Sequence, residues 1–286
     1  MLKQRVMTAI VLLAVLLGAL LAPGPWALVL LFTLIAACAL WEWLRLTWPG
    51  QGSRMPIVLA VLAGVGLLIV ARQWLSPEPA LWSLQFQSLL DRWIIPAVAF
   101  IWVVAGTAMV TRGQAKNRTG GAWLSAFGVL AVLAVWAALV QLFLAHGSWF
   151  LVSLLAVIWF ADIAAYFTGK ALGKRKLAPR VSPGKTWEGA IGGVVAATVW
   201  VLATVYWPGS FGAVLSEGWP LWAVVLIAIF LSALSIIGDL FESLLKRRAA
   251  MKDSSQLLPG HGGVYDRIDA LLPVAPFALL LTGVPL

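Results

Sequence analysis

Charge is scarce in this chain. Only 11% of its 286 residues are Asp, Glu, Lys or Arg, while 62% are hydrophobic. A soluble fold cannot bury so large an apolar share, so much of the surface must face something other than water. Cysteine is nearly absent. The one thiol, Cys38, excludes an intrachain disulfide framework and reads as a small buried hydrophobe. There are two histidines and no Cys or His at zinc spacing, which argues against a zinc site. No polar segment approaches the length of a domain, so no separate soluble or nucleotide-binding fold fits. No G-x-S-x-G nucleophile elbow occurs. "SPGKT" (182–186) imitates a Walker A loop, but Pro179 stands where the first glycine is needed and no strand is expected before it.

What is present is a series of apolar runs, each near the roughly 20 residues that cross a hydrocarbon core of about 30 Å. They predict an all-α, polytopic membrane protein of about nine transmembrane helices: 6–21, 26–46, 56–70, 93–110, 123–144, 149–169, 187–207, 219–238 and 268–284. The first, behind Lys3 and Arg5, lacks a clear cleavage site and reads as an uncleaved helix. Six of the nine begin or end on Trp, the residue that prefers the membrane interface. With the N-terminus in the cytoplasm, every Lys and Arg except Arg72 and Arg92 falls on the cytoplasmic side, Lys116 and Arg118 included. The net charge of +9 is then a topology signal and an attraction for anionic headgroups, not a nucleic-acid surface. The organisation expected is N-terminal transmembrane helices over 1–145 and a catalytic transmembrane region over 146–286. The latter carries the two long polar cytoplasmic loops, 170–186 and 239–267.

The chemistry-bearing residues crowd into those loops. If "GDLFESLLKRR" (238–248) is helical, Asp239, Ser243 and Lys246 share a face at i, i+4 and i+7, with Glu242 beside them. A stripe with an acidic and a basic end suits a cation together with a phosphate; a salt-bridged helix leaving the membrane is the plainer account. "PGHGG" (259–263) cannot be regular helix and re-aims the chain. Asp266, Arg267 and Asp269 follow at the start of a membrane helix, where they are costly unless paired, metal-bound or wet. Asp269 has an easy role at a helix N-terminus. Asp266 does not, and is expected to face Asp239 across a bound cation. Asp162, inside a predicted span, is a functional-site candidate by position alone. Lys185 and Thr186 stand at the start of a helix, where backbone N–H groups favour anions. Glu188 reads as a first-turn capping acid.

"SLLKRRAAMKDSSQLLPGHGGVYDRID" (243–269), with "GDLFES", "SPGKTWEG" and "WEW" (41–43), resembles the phosphatidate cytidylyltransferases, or CDP-diacylglycerol synthases. The resemblance spans nearly the whole chain and is strongest after residue 160. It implies a reaction of CTP with phosphatidate to give CDP-diacylglycerol and pyrophosphate for phospholipid biosynthesis. It also implies Mg²⁺, alone or with a second cation, a homodimer among membrane lipids, and a polar cavity facing the cytoplasm from a bacterial inner membrane. On that pattern Asp239 and Asp266 are the metal ligands, and act with Lys246 and Arg267 in catalysis. Asp162, Ser182, Lys185, Thr186, Ser243, Arg247, Lys252, Asp253, His261, Gly262, Gly263 and Asp269 bind substrate, the glycines by letting backbone approach phosphate. Two competing readings are a CTP-dependent transferase for another lipid, polyprenol or archaeal-type, and an ion-coupled transporter using Asp162 and Asp239. One-sided charge speaks against the transporter.

Overall fold

The computed structural model describes residues 2–48, 52–113 and 121–283. Lys116 and Arg118, and residue 284 at the end of the ninth expected span, lie outside the described residues. The architecture is helical, with α1 (Leu2–Leu21), α2 (Trp26–Thr47), α3 (Met55–Trp74), α4 (Leu81–Arg112) and α5 (Gly121–Leu172) in order. A two-stranded antiparallel hairpin follows, β1 (Lys176–Ala178) and β2 (Ser182–Thr186). Then come α6 (Trp187–Thr204), α7 (Phe211–Gly218), α8 (Leu221–Arg248), the single turn α9 (Tyr265–Ile268) and α10 (Leu271–Thr282). Among the described residues, six helices (α2 to α6 and α8) are long and apolar enough to cross a membrane, and α1 and α10 hold shorter apolar stretches. Their outward faces stay apolar, as at Ile10, Val61 and Val195, which fits a lipid solvent.

Four elements differ from the expectation. Residues 81–112 form one continuous helix where the apolar run marks only 93–110. It accommodates Pro96, which lacks an N–H donor, between two π-helical stretches, Leu90–Ile94 and Trp102–Gly106. The expected spans 123–144 and 149–169 are the two arms of α5, bent at Gly147, whose φ of 81° glycine alone adopts freely. That bend lies beside the 145/146 division. The span expected to end at Gly238 continues as helix for ten more residues, so Asp239 to Arg248 belong to α8 and not to a loop. "SPGKT" is itself a strand paired with the strand before it, which corrects the expectation of a strandless loop there.

Packing fixes these elements around two contacts. The second arm of α5 meets α6 backbone to backbone. A methyl group at Gly189 would lie 2.8 Å from the Ala165 carbonyl oxygen, and one at Gly193 2.6 Å from that of Ala161, the small-residue approach that membrane helices use. Elsewhere an aromatic core ties α2, α4, α8 and α9. Trp43, fully buried, lies 5.2 Å from the Tyr265 ring and 5.5 Å from Phe241, and Trp102 lies 5.0 Å from Phe241. The Trp43 indole N–H donates to the Leu124 carbonyl at 2.9 Å, so the buried ring leaves no polar atom stranded.

Candidate active site

The neighbour of Trp43 on α2 organises the loop that carries the glycines. Glu42 is fully buried. Its carboxylate accepts from Ser254 Oγ at 2.9 Å, Ser255 Oγ at 2.5 Å, Val264 N at 3.0 Å and Tyr265 N at 2.6 Å. A buried carboxylate is tolerable only when its lone pairs are met, and here four donors meet them. Gly263 must be glycine for this to happen, because a methyl group there would lie 2.5 Å from Glu42 Oε2. Gly262 adopts φ +85°, and a methyl group on it would come 2.7 Å from Asp266 Oδ2. The same loop is also tied to α1, where Thr8 Oγ1 donates to the Pro259 carbonyl at 2.7 Å.

Asp266 hangs from this loop. Its Oδ2 accepts from Gly263 N at 2.7 Å, Ser254 Oγ at 2.9 Å and Ser254 N at 3.1 Å. Its Oδ1 takes Lys246 Nζ at 2.6 Å, and the same ammonium lies 2.7 Å from Glu242. Burial pushes the Asp266 carboxyl up. Hydrogen bonding with Glu242, Lys246 and the Gly263 N–H, and the charge of Lys246, outweigh it and hold the group well below the usual carboxylate range. Lys246 and Glu242 are one turn apart on α8, so the face foreseen in the sequence exists.

A second acidic group lies at the start of that face. Asp239 pairs with Lys185, which β2 delivers from the hairpin. The pair lines a cavity of about 500 Å³ together with Asp162, Lys170 and Thr186. The close arms of α5 and α6 form its far wall. Gly238 lets α8 approach the turn before α10, where a methyl group would lie 3.0 Å from Ala270 Cα. This brings Asp239 near Asp269. The Asp269 oxygen accepts from Ala270 N at 2.8 Å, and the N-cap of α10 is Ala270, without a side-chain cap.

A second hollow, of about 890 Å³, is bordered by Lys252, Asp253, His261, Gly262 and Arg267. The Arg267 guanidinium donates to the His261 carbonyl, and His261 N donates to Leu258 O at 2.9 Å, so both residues brace the turn. The structure therefore divides the foreseen residues. Asp162, Lys185, Thr186 and Asp239 share one cavity. Lys252, Asp253, His261, Gly262 and Arg267 share the other. Lys246 and Asp266 form a separate ion pair. Ser182 stands at the far end of β2, opposite Ala178, outside both walls. Ser243 is half-buried on α8, and Arg247 reaches back to the hairpin, its Nε 3.5 Å from the Val181 carbonyl. The Thr186 hydroxyl is spent as the N-cap of α6, accepting from Gly189 N at 3.1 Å. Glu188 does more than cap, since its carboxylate takes the N–H groups of Lys174 and Arg175 at 3.0–3.3 Å and fastens the hairpin.

Comparison with known proteins identifies the family. Residues 3–284 match the cytidylyltransferase family. The chain belongs to that family. It is 40% identical to the phosphatidate cytidylyltransferase of Pseudomonas aeruginosa, over 98% of this chain and 97% of that one. It is 36% identical to the protein of the same name from Haemophilus influenzae, over 97% of each chain, and 34% identical to that of Bacillus subtilis, over 98% and 97%. Within this cytidylyltransferase fold, Glu42 is the residue that reading the sequence leaves without a role, although "WEW" is part of the resemblance. A lone carboxylate in the apolar run 26–46 satisfies the rule that singles out Asp162, and that signal could have found it.

Proposed function

We propose that the chain transfers the cytidylyl group of CTP to phosphatidate, giving CDP-diacylglycerol and pyrophosphate. The observation that carries this reading, beside the family match, is the cavity holding Asp162, Lys185 and Asp239 at the polar end of an apolar bundle. One reactant is anchored in lipid and the other is a soluble polyanion, so the reaction needs cation-rich walls where the two media meet. A phosphatidate oxygen attacks the α-phosphorus of CTP in line, and pyrophosphate leaves. Such transfers depend on positioning and charge neutralisation more than on covalent help. Lys185 neutralises phosphate in the cavity. Lys246, Arg247, Lys252 and Arg267 hold the triphosphate towards the Gly262–Gly263 turn, and Asp253, His261 and Ser243 shape that side.

Mg²⁺, alone or with a second cation, is part of the proposal, with Asp239 and Asp266 as its protein ligands. Among the described residues, no three His, Cys, Asp or Glu side chains are grouped to hold a metal by themselves. That suits an ion that takes one or two carboxylates and completes its shell with phosphate and water. When bound, it would supply positive charge to offset that of the phosphates. Each acid currently holds a lysine, Asp239 with Lys185 and Asp266 with Lys246, so a cation would take a place that an ammonium now fills.

The nine-span topology, a cytoplasmic N-terminus, a site facing the cytoplasm of a bacterial inner membrane and a homodimer belong to the same proposal, supported by the one-sided Lys and Arg distribution and by the resemblance. So does the division at 145/146, with the amendment that Glu42 of α2 serves the catalytic region. The test is pyrophosphate release from CTP by purified protein in mixed micelles. Release that requires phosphatidate supports the reading; equal or greater release with a polyprenyl phosphate or an archaeal-type lipid phosphate replaces it.

A further inference from the structure

One apolar hollow is not among the groups described so far. A groove of about 730 Å³ runs between α4, the hairpin, α6 and α8. Val194, Phe230, Ala233 and Ile237 line it, and it is open at the side, where Ile191 and Val195 are 60% and 56% exposed. A hollow of this size suits one ligand of lipid or drug dimensions. Two features distinguish it from an ordinary crevice filled by bulk lipid. Arg112, at the end of α4, and Arg180, in the hairpin turn, both line it and are both exposed. Gly113 allows the two to converge: it ends α4 in a left-handed conformation at φ 58°, and a methyl group on it would lie 3.6 Å from Arg180 Cβ. The groove also shares Leu177, Ala190 and Ile236 with the cavity of Lys185 and Asp239. Those three side chains are a party wall, apolar groove on one side and charged cavity on the other.

We propose that this groove holds an acyl chain of the anionic lipid substrate, so that Arg112 and Arg180 draw the lipid phosphate to its rim and the party wall sets its distance from Lys185 and Asp239. The proposal rests on the phosphatidate reading and gives the lipid a route from the bilayer, through the open side between α6 and the hairpin. An apolar chain in the groove loses no hydrogen bond and the arginines supply bidentate phosphate donors, so chain and headgroup are recognised by different parts of one continuous surface.

The test replaces Ala233, which lines the groove and not the charged cavity, with tryptophan. The expected result is a KM for long-chain phosphatidate raised about tenfold or more, with the KM for CTP and for water-soluble dihexanoyl phosphatidate changed less than about twofold, since lost apolar contact discriminates on that scale. Equal loss for both lipids, or none for either, overturns the groove. Wild-type protein that fails to use phosphatidate at all overturns the functional reading instead, so the two failures are distinguishable. Should A233W not accumulate, wild-type protein is irradiated with a phosphatidate carrying a diazirine near the end of one chain. Labelling of α6 and α8 that unlabelled phosphatidate suppresses and phosphatidylcholine does not supports the proposal. Labelling that both lipids suppress equally marks a bulk-lipid crevice and overturns it.

Discussion

Glu42 and Asp239 are both carboxylates set on long apolar helices, yet they are satisfied in opposite ways. Glu42 has no exposed surface and four donors from one loop, two hydroxyl and two backbone N–H. Asp239 is about a third exposed, and its ion-pair partner is an ammonium from another element. A saturated buried acid can accept nothing more and is fitted to hold a backbone shape. An acid with open solid angle, in a cavity with a second carboxylate and two lysines, can exchange partners and so take part in binding. Asp266 lies between these extremes, bound by the loop on one oxygen and by Lys246 on the other. The contrast assigns positioning to one acid and chemistry to the other, and it can be broken from either end.

The largest effect should come from Asp239→Asn. The variant keeps the size of the side chain, so folding and insertion persist, while turnover of CTP falls by about a hundredfold or more, the scale on which preorganised charge acts on phosphoryl transfer. Pyrophosphate release and the thermal midpoint in detergent, measured together, decide the matter. A loss of thermal stability equal to that of a Glu42 variant would erase the distinction.

Glu42→Ala should invert that pattern. It strands four donors, two of them backbone N–H groups that cannot turn away, and each orphaned buried donor costs about 1–3 kcal/mol. The expected outcome is a lower thermal midpoint and faster proteolytic cleavage between residues 252 and 264, with activity falling as the loop loosens. Glu42→Gln is the sharper probe, because an amide keeps the volume but turns two donors towards donors. If the loop stays protected in both variants, Glu42 is not its anchor.

How much of this was legible follows from what each feature depends on. The apolar runs depend on composition within a window, and a helix covers the centre of each; the helix ends are not where hydropathy stops, because helical periodicity continues through "DLFESLLKRR". The charged face of Asp239, Glu242 and Lys246 is a matter of local spacing and was readable for that reason. The hairpin at 176–186 was not, since its two strands are too short for a periodic signal, and its stability comes from Glu188 binding the backbone of residues 174 and 175. The Glu42 anchor joins residues more than 200 positions apart. Nothing in a local pattern specifies the far partner of a buried acid, only that it must have one.

Lys185→Ala tests the open end of the comparison at a middle magnitude. Removing the ammonium frees Asp239 and deprives the cavity of a phosphate partner. The expected result is a KM for CTP or phosphatidate raised about tenfold, consistent with loss of one charge-assisted contact of about 1.5–3 kcal/mol, at unchanged membrane insertion. Loss of insertion with normal kinetics in the remaining protein would make Lys185 a structural counter-ion instead.

The smallest effect separates two glycines. A methyl group at Gly263 would collide with the anchor of the loop, whereas one at Gly184, on the cavity wall, meets nothing within 4 Å. Gly263→Ala should therefore cost about 1–3 kcal/mol, as overpacking does. Gly184→Ala should alter stability by less than about 0.5 kcal/mol, as surface changes do. The kinetic consequence is where Gly184 becomes informative. Gly184 is exposed on the cavity wall beside Lys185, where a bound substrate would meet an added methyl group. A KM raised about twofold to fivefold in Gly184→Ala, with an unchanged thermal midpoint, is the outcome expected if substrate passes close to that backbone, since a misfit of one methyl group is worth about 1 kcal/mol. An unchanged KM would move the substrate away from β2 and leave Lys185 to act at the full length of its side chain.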